Sequence, residues 1–143
     1  MVSLRTHNIL DYIGAAVLVL APYLFGFNDI LVARNVFLGS GFALALYSLC
    51  TNYEFSIVKW IPVGVHMTLD VIVGLFVMVA PGIFDYGVFL SDWQYALHFV
   101  LGIGVLGLVA FTNRKGIRAS VSDIGTPFRT DVEDTRRDRI AFP

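Results

Sequence analysis

The sequence predicts an all-α fold, a four-transmembrane-helix bundle built from two tandem helical hairpins related by a pseudo-twofold axis along the membrane normal. Three observations carry that prediction: composition, the length of the apolar stretches, and an internal repeat. The chain of 143 residues is 57% hydrophobic and 15% charged, with a mean hydropathy of +0.73. Soluble domains are typically ~45–50% apolar and ~25% charged, so both figures point to lipid. Four apolar stretches, 9–25, 36–50, 61–84 and 95–111, approach the ~17–25 residues that cross a ~30 Å hydrocarbon core. They are apolar on all sides, whereas a helical bundle in water needs a polar face on each helix.

The first stretch contains Asp11 and ends in Pro22-Tyr23-Leu24-Phe25, without a small-residue cleavage site, so it is expected to remain in the mature protein. The second is the shortest and leaves little room for tilt. Pro62 marks the start of the third, and Trp60 and Trp93 fall at predicted boundaries, where amphipathic rings favour the headgroup layer. Arg5, Lys59, Arg114, Lys115 and Arg118 lie on one side of this topology, and Arg34 with Asp29, Asp85 and Asp92 on the other. The positive-inside rule then places both termini in the cytoplasm. Residues 1–113 form the membrane domain, and 114–143 a charged cytoplasmic tail holding more than half of the chain's Lys, Arg, Asp and Glu. That tail reads either as a solvated terminus or as a charged helix with a docking tip.

The repeat is visible residue by residue. His7-Asn8-Ile9-Leu10-Asp11-Tyr12-Ile13 returns as His66-Met67-Thr68-Leu69-Asp70-Val71-Ile72, 59 positions later, and the same offset carries Ala21-Pro22 onto Ala80-Pro81. Leu38-Gly39-Ser40-Gly41 matches Leu101-Gly102-Ile103-Gly104 at an offset of 63, and Thr51-Asn52 matches Thr112-Asn113 at 61. Repeat one covers about 7–52 and repeat two about 66–113. Each unit has an even number of spans, so both copies enter from the same side, as parallel rather than inverted repeats do. Gly39, Gly41, Gly102 and Gly104 are candidates for close helix packing, predicted between the second and fourth helices. Pro22 and Pro81 either kink their helices and open a wedge, or end them at the interface.

The run Ala21-Pro22-Tyr23 followed by Leu24-Phe25-Gly26-Phe27 resembles the Ser-Pro-Trp unit of the SPW-repeat integral membrane proteins, over roughly residues 7–113. This chain has Ala-Pro-Tyr and Ala-Pro-Gly in place of Ser-Pro-Trp. The resemblance implies a duplicated two-helix unit in a bacterial inner membrane. It implies no activity.

His7 with Asp11, and His66 with Asp70, are i, i+4 pairs and share a helix face. An Asp within a span costs on the order of 2.5–3.5 kcal/mol on insertion scales and needs a partner or water. Three readings follow for the four groups: a structural tie between the first and third helices, a metal site of two imidazoles and two carboxylates suited to zinc, iron or manganese, or a proton- or ligand-handling site. Asn8 offers itself as a helix cap with Asp11 at the third helical position, a local role that Asp70 has no counterpart for. His98, early in the fourth helix, belongs near the opposite face, bonded to a loop carbonyl or to Asp92. The apolar loops 27–35 and 85–93 read as interfacial or partner-covered segments.

A net charge of −1 gives no basic footprint for nucleic acid. The single Cys50 excludes redox chemistry by a cysteine pair. No nucleophile triad, phosphate loop or three-ligand zinc motif stands out. The preferred reading is therefore a small non-enzymatic membrane protein in the lipid bilayer, a scaffold or accessory subunit that forms a homo-oligomer or joins a larger complex. The alternative is a metal-, proton- or small-ligand-handling protein using the His/Asp cluster, its cofactor unidentified.

Overall fold

In a computed structural model, residues 1–113 are described; the expected charged tail, 114–143, lies outside them. Four helices follow in order, α1 (Leu4–Leu24), α2 (Leu31–Cys50), α3 (Val63–Ile83) and α4 (Asp92–Phe111), with a short 3-10 turn at Gly87–Phe89. Each has 20 or 21 residues, about 30 Å at 1.5 Å per residue, and each is apolar enough to cross a membrane. Side chains such as Ile13, Leu20, Phe42, Ile72 and Val100 point outward and stay exposed, as lipid-facing positions must where no polar surface is wanted.

The helices pack as two antiparallel hairpins, α1 on α2 and α3 on α4, joined by an α2–α3 seam. Both hairpins begin and end at the same end of the bundle, so their pseudo-twofold runs along the helices. The N-terminal residues, the α2–α3 connection and the end of α4 share that end. There the chain makes two matched parallel bridges, Val2 with Thr112 and Thr51 with Ile61. The Val2 amide donates to Phe111 at 2.8 Å, and the Ile61 amide to Cys50 at 2.8 Å. These paired backbone contacts tie the entry of each hairpin to the exit of the other.

Local signals account for most of the helix limits. Ser3 caps α1 by accepting from the Thr6 amide at 3.1 Å. Ser91 and Gln94 form a reciprocal capping box at the start of α4. Pro22 and Pro81 stand in the last turns of α1 and α3, which stop two residues later, so the prolines terminate helices at the interface. Gly26 and Asp85, 59 positions apart like the rest of the repeat, both take the left-handed conformation just beyond those ends. α2 starts at Leu31, five residues before the apolar run, because Ala33, Val36, Phe37, Ser40 and Gly41 already follow a helical burial period. Leu31 and Val32 therefore belong to a helix and not to an interfacial loop.

The glycine contacts differ from the expected ones. A Cβ on Gly41 would lie 2.9 Å from the Ala15 carbonyl and 2.7 Å from a Val19 methyl, and one on Gly102 would lie 2.6 Å from the Gly74 carbonyl. Both close approaches are inside a hairpin, α2 on α1 and α4 on α3, and not between α2 and α4. Gly39 and Gly104 have no such neighbour. Ala15 and Gly74 are repeat equivalents, so Gly41 pairs structurally with Gly102 at an offset of 61, the Thr-Asn offset, and the 63-residue match was two positions out of register. The physical reason is that a helix needs one small residue where it crosses its neighbour, and the second glycine has open space beside it among the described residues.

Gly41→Ala should destabilise the bundle by about 1–3 kcal/mol, because the backbone carbonyl of Ala15 cannot yield as a side chain can. Gly104→Ala should be neutral. Thermal unfolding of the two variants in the same detergent checks the contrast.

Candidate functional site

The i, i+4 pairs on α1 and α3 meet across the bundle axis near the bridged end. His7 Nε2 lies 3.1 Å from Asp70 Oδ2 and 3.3 Å from Asp11 Oδ1, while His66 Nε2 lies 3.1 Å from Asp11 Oδ2 and 3.2 Å from Asp70 Oδ2. All four residues are buried, none more than 3% exposed. Their four ligand-capable atoms fall within 4.8 Å of one another. The structure thus brings together all four of the residues that the repeat singled out.

The far nitrogens of the two imidazoles are equally constrained. His7 Nδ1 is 2.7 Å from Thr112 Oγ1, and His66 Nδ1 is 2.8 Å from Thr51 Oγ1. Each threonine hydroxyl donates to the carbonyl one turn back, Thr112 to Leu108 and Thr51 to Tyr47, both at 2.6 Å. Its proton is committed, so the threonine oxygen accepts, and Nδ1–H of each histidine is the donor. This assignment leaves both Nε2 atoms facing carboxylate oxygens. Two lone pairs at that distance repel unless a proton or a cation lies between them. The contact is crossed between the repeats, since His7 of the first unit uses Thr112 of the second and His66 uses Thr51. The parallel bridges just described bring each threonine to its histidine.

Thr51 and Thr112 were not singled out from the sequence as site residues, although their repeated Thr-Asn was the available signal. Tyr47 and Tyr53 had no repeated counterpart to mark them. Tyr47 donates its hydroxyl to Asp70 Oδ1 at 2.7 Å. The Tyr53 ring packs edge-on against His66, with centroids 4.8 Å apart. Burial, and then the charges of Asp11 and Asp70, push the Tyr53 phenol well above its usual range, so it stays a neutral hydroxyl.

Asn8 does not cap α1, because the helix starts four residues earlier, and its side chain is fully buried. Asp11 and Asp70 are each the eighth residue of their helix. The local explanation for Asp11 therefore fails, and the two carboxylates have equivalent places.

His98 stands apart, as expected, toward the other end. Its Nδ1 donates to the Gln94 carbonyl at 2.8 Å within its own helix, and its Nε2 lies 3.1 Å from the Tyr86 hydroxyl. Burial raises the Tyr86 phenol, which remains a donor to that nitrogen. Phe27 and Phe37 pack on the same imidazole, and Asp92 is not its partner. With every polar atom used inside the fold, His98 is a core residue of an aromatic layer.

Replacing Thr112 by Val strands a buried imidazole N–H and should cost about 1–3 kcal/mol, whereas Thr112→Ser keeps the acceptor and should recover most of the loss. Unfolding midpoints of the two variants in one detergent give the comparison. Comparison of the chain with protein-family models, curated proteins and solved structures finds no match.

Proposed function

We propose that this chain is an integral membrane protein whose His7, Asp11, His66 and Asp70 hold a divalent transition metal ion near the cytoplasmic leaflet. One observation carries the reading: two threonines fix both histidines in the tautomer that turns Nε2 inward, onto two carboxylates. A hydrogen bond from the outer ring nitrogen is how metal-ligating histidines are usually oriented. Neighbouring ligand atoms around a tetrahedral ion with bonds of ~2.0–2.1 Å stand about 3.3 Å apart; His7 and His66 Nε2 lie 3.1 and 3.2 Å from Asp70 Oδ2, and Asp11 meets them through its two oxygens, Oδ1 at 3.3 Å and Oδ2 at 3.1 Å. Two neutral imidazoles and two carboxylates around a divalent ion make a set with no net charge, the cheapest state for a site without water. The mixed nitrogen and oxygen donors suit zinc, iron or manganese. The SPW-repeat resemblance supports a bacterial inner membrane and adds no activity. The cytoplasmic placement of both termini rests on the Lys and Arg distribution.

The chain's own residues define what such a centre can do. Four protein ligands close a tetrahedral ion, as in structural sites, and a catalytic ion would need a free position. The centre would join α1 to α3 across the axis, where helix packing is otherwise slight.

A second reading, the scaffold or accessory subunit, is supported by α4, whose buried residues are only His98 and Gly102. A helix with so little cover among the described residues suits packing against another copy or a larger complex. Cross-linking from an introduced cysteine at Ile103, a 57% exposed position, should trap a dimer in intact membranes. Monomer alone would remove that reading.

For the metal centre, untagged protein purified in mild detergent should carry close to one metal ion per chain by elemental mass spectrometry. Asp70→Asn with His66→Ala should lose the ion while retaining helical circular dichroism. Wild-type protein that neither contains metal nor takes up zinc, iron or manganese on dialysis would refute the reading.

A further inference from the structure

The pseudo-twofold is broken on one side. Symmetry makes the α2–α3 seam equivalent to an α4–α1 seam, yet the first is packed and the second is not among the packed helix pairs. A groove of about 520 Å³ runs there instead, lined by Gly14, Val17, Gly104 and Leu108, with Asp11 and Asp70 at its polar end. That volume is within the ~300–1,000 Å³ of small-molecule sites. Contacts of this chain tie the flanks of α1 to the two ends of α4. At one end Val2 pairs with Thr112. At the other, Gln94 Nε2 donates to the carbonyls of Phe25 and Gly26 at 2.9 and 3.2 Å.

The repeat offsets mark where the two seams differ. Gly14 stands where the second repeat has Val73, and Val17 where it has Phe76. Leu108 stands where the first repeat has Tyr47, an equivalence the structure repeats, since these two carbonyls accept from the paired threonines. Leu18, Val100, Leu101 and Phe111, which also line the groove, run the opposite way, standing against Val77, Gly39, Ser40 and Cys50. The exchange of Tyr47 for Leu108 also has a polar consequence. Asp70 Oδ1 receives a phenol hydroxyl from Tyr47 at 2.7 Å, whereas the leucine gives Asp11 Oδ1 none. Among the described residues the nearest partner of that oxygen is His7 Nε2 at 3.3 Å, and Asp11 lines the groove.

We infer that the α1–α4 groove binds a lipophilic phenol, entering from the bilayer, whose hydroxyl donates to Asp11 as the Tyr47 hydroxyl donates to Asp70. The apolar walls take the hydrocarbon body, and the carboxylate at the end selects a donor over an ether or ester oxygen, because an unprotonated carboxylate only accepts. Asp11 Oδ1 accepts from the phenol while Oδ2 stays 3.1 Å from His66 Nε2, so the binding does not depend on whether the four-residue centre holds metal.

The test uses the full-length protein in nanodiscs with 4-nonylphenol and its methyl ether, 4-nonylanisole, as probes, and native mass spectrometry as the readout. The phenol should saturate at one per chain and bind at least tenfold more tightly than the ether. Leu108→Tyr supplies the missing hydroxyl from the protein and fills the groove, so phenol binding should fall at least tenfold while metal content is unchanged. Val17→Phe, at a half-exposed wall position, should weaken both probes if Leu108→Tyr fails to fold. Equal affinity for phenol and ether overturns the hydroxyl contact. Phenol binding that neither variant alters overturns the groove, and a dimer that Leu108→Tyr dissolves shows a second copy's helix to be the occupant instead.

Discussion

Four ionisable side chains sit at one end of a bundle whose outer surface is lipid-compatible, and each of their polar atoms must find a partner inside the protein. No water layer can lend one, and an unsatisfied group in hydrocarbon costs several kcal/mol. Much of the architecture follows from that requirement. The histidines reach across the axis because the carboxylates that complement them are on the opposite helix. Their outer nitrogens need acceptors, so the residues that end α2 and α4 are threonines whose own protons are already given to helix carbonyls. The parallel bridges hold those threonines in place. Removing any one member leaves another buried and unpaired, which makes the cluster a single unit and not a set of separate bonds.

The other half of the bundle is built differently. Around His98 the core is aromatic, with Phe27, Phe37 and Tyr86 on the ring and both nitrogens bonded within one hairpin's chain segment. Its structural role is complete. The contrast between the two ends separates a histidine that finishes a core from two that converge with carboxylates, and it does so by partners alone. Duplication explains the near-equivalence of the two His/Asp pairs, and the departures from it are informative. Leu108 stands in the place of Tyr47, and glycine and valine in the places of valine and phenylalanine, along the seam that stays open while its twin is packed.

Much of this was legible in the sequence. The offset of 59 identified His7, Asp11, His66 and Asp70 as equivalent, and the even number of spans per unit implied an axis along the helices. The prolines and the apolar runs marked the C-terminal helix ends closely, whereas α1 and α2 start five residues before their runs. Other features were misplaced for identifiable reasons. Gly39 and Gly104 resemble packing positions because the Leu-Gly-x-Gly match falls at 63 and not at 61, and an apolar helix gives no polar face that would correct such a slip. Asn8 suggested a cap because it precedes an acidic residue by three, while Ser3 with Thr6 was the real one.

The sequence by itself determined the number of spans, the duplication and the two pairs of titratable groups, because period, length and repetition are properties of the chain read in order. Only the tertiary structure decided that His7 is completed by a threonine 105 positions away, that Tyr47 serves Asp70, and that the bundle opens between α1 and α4. Equivalence under a repeat says which residues play the same part, not which helices become neighbours. Neighbours are set by where backbones can approach, at Gly41 and Gly102, and by the need to neutralise buried charge across the axis.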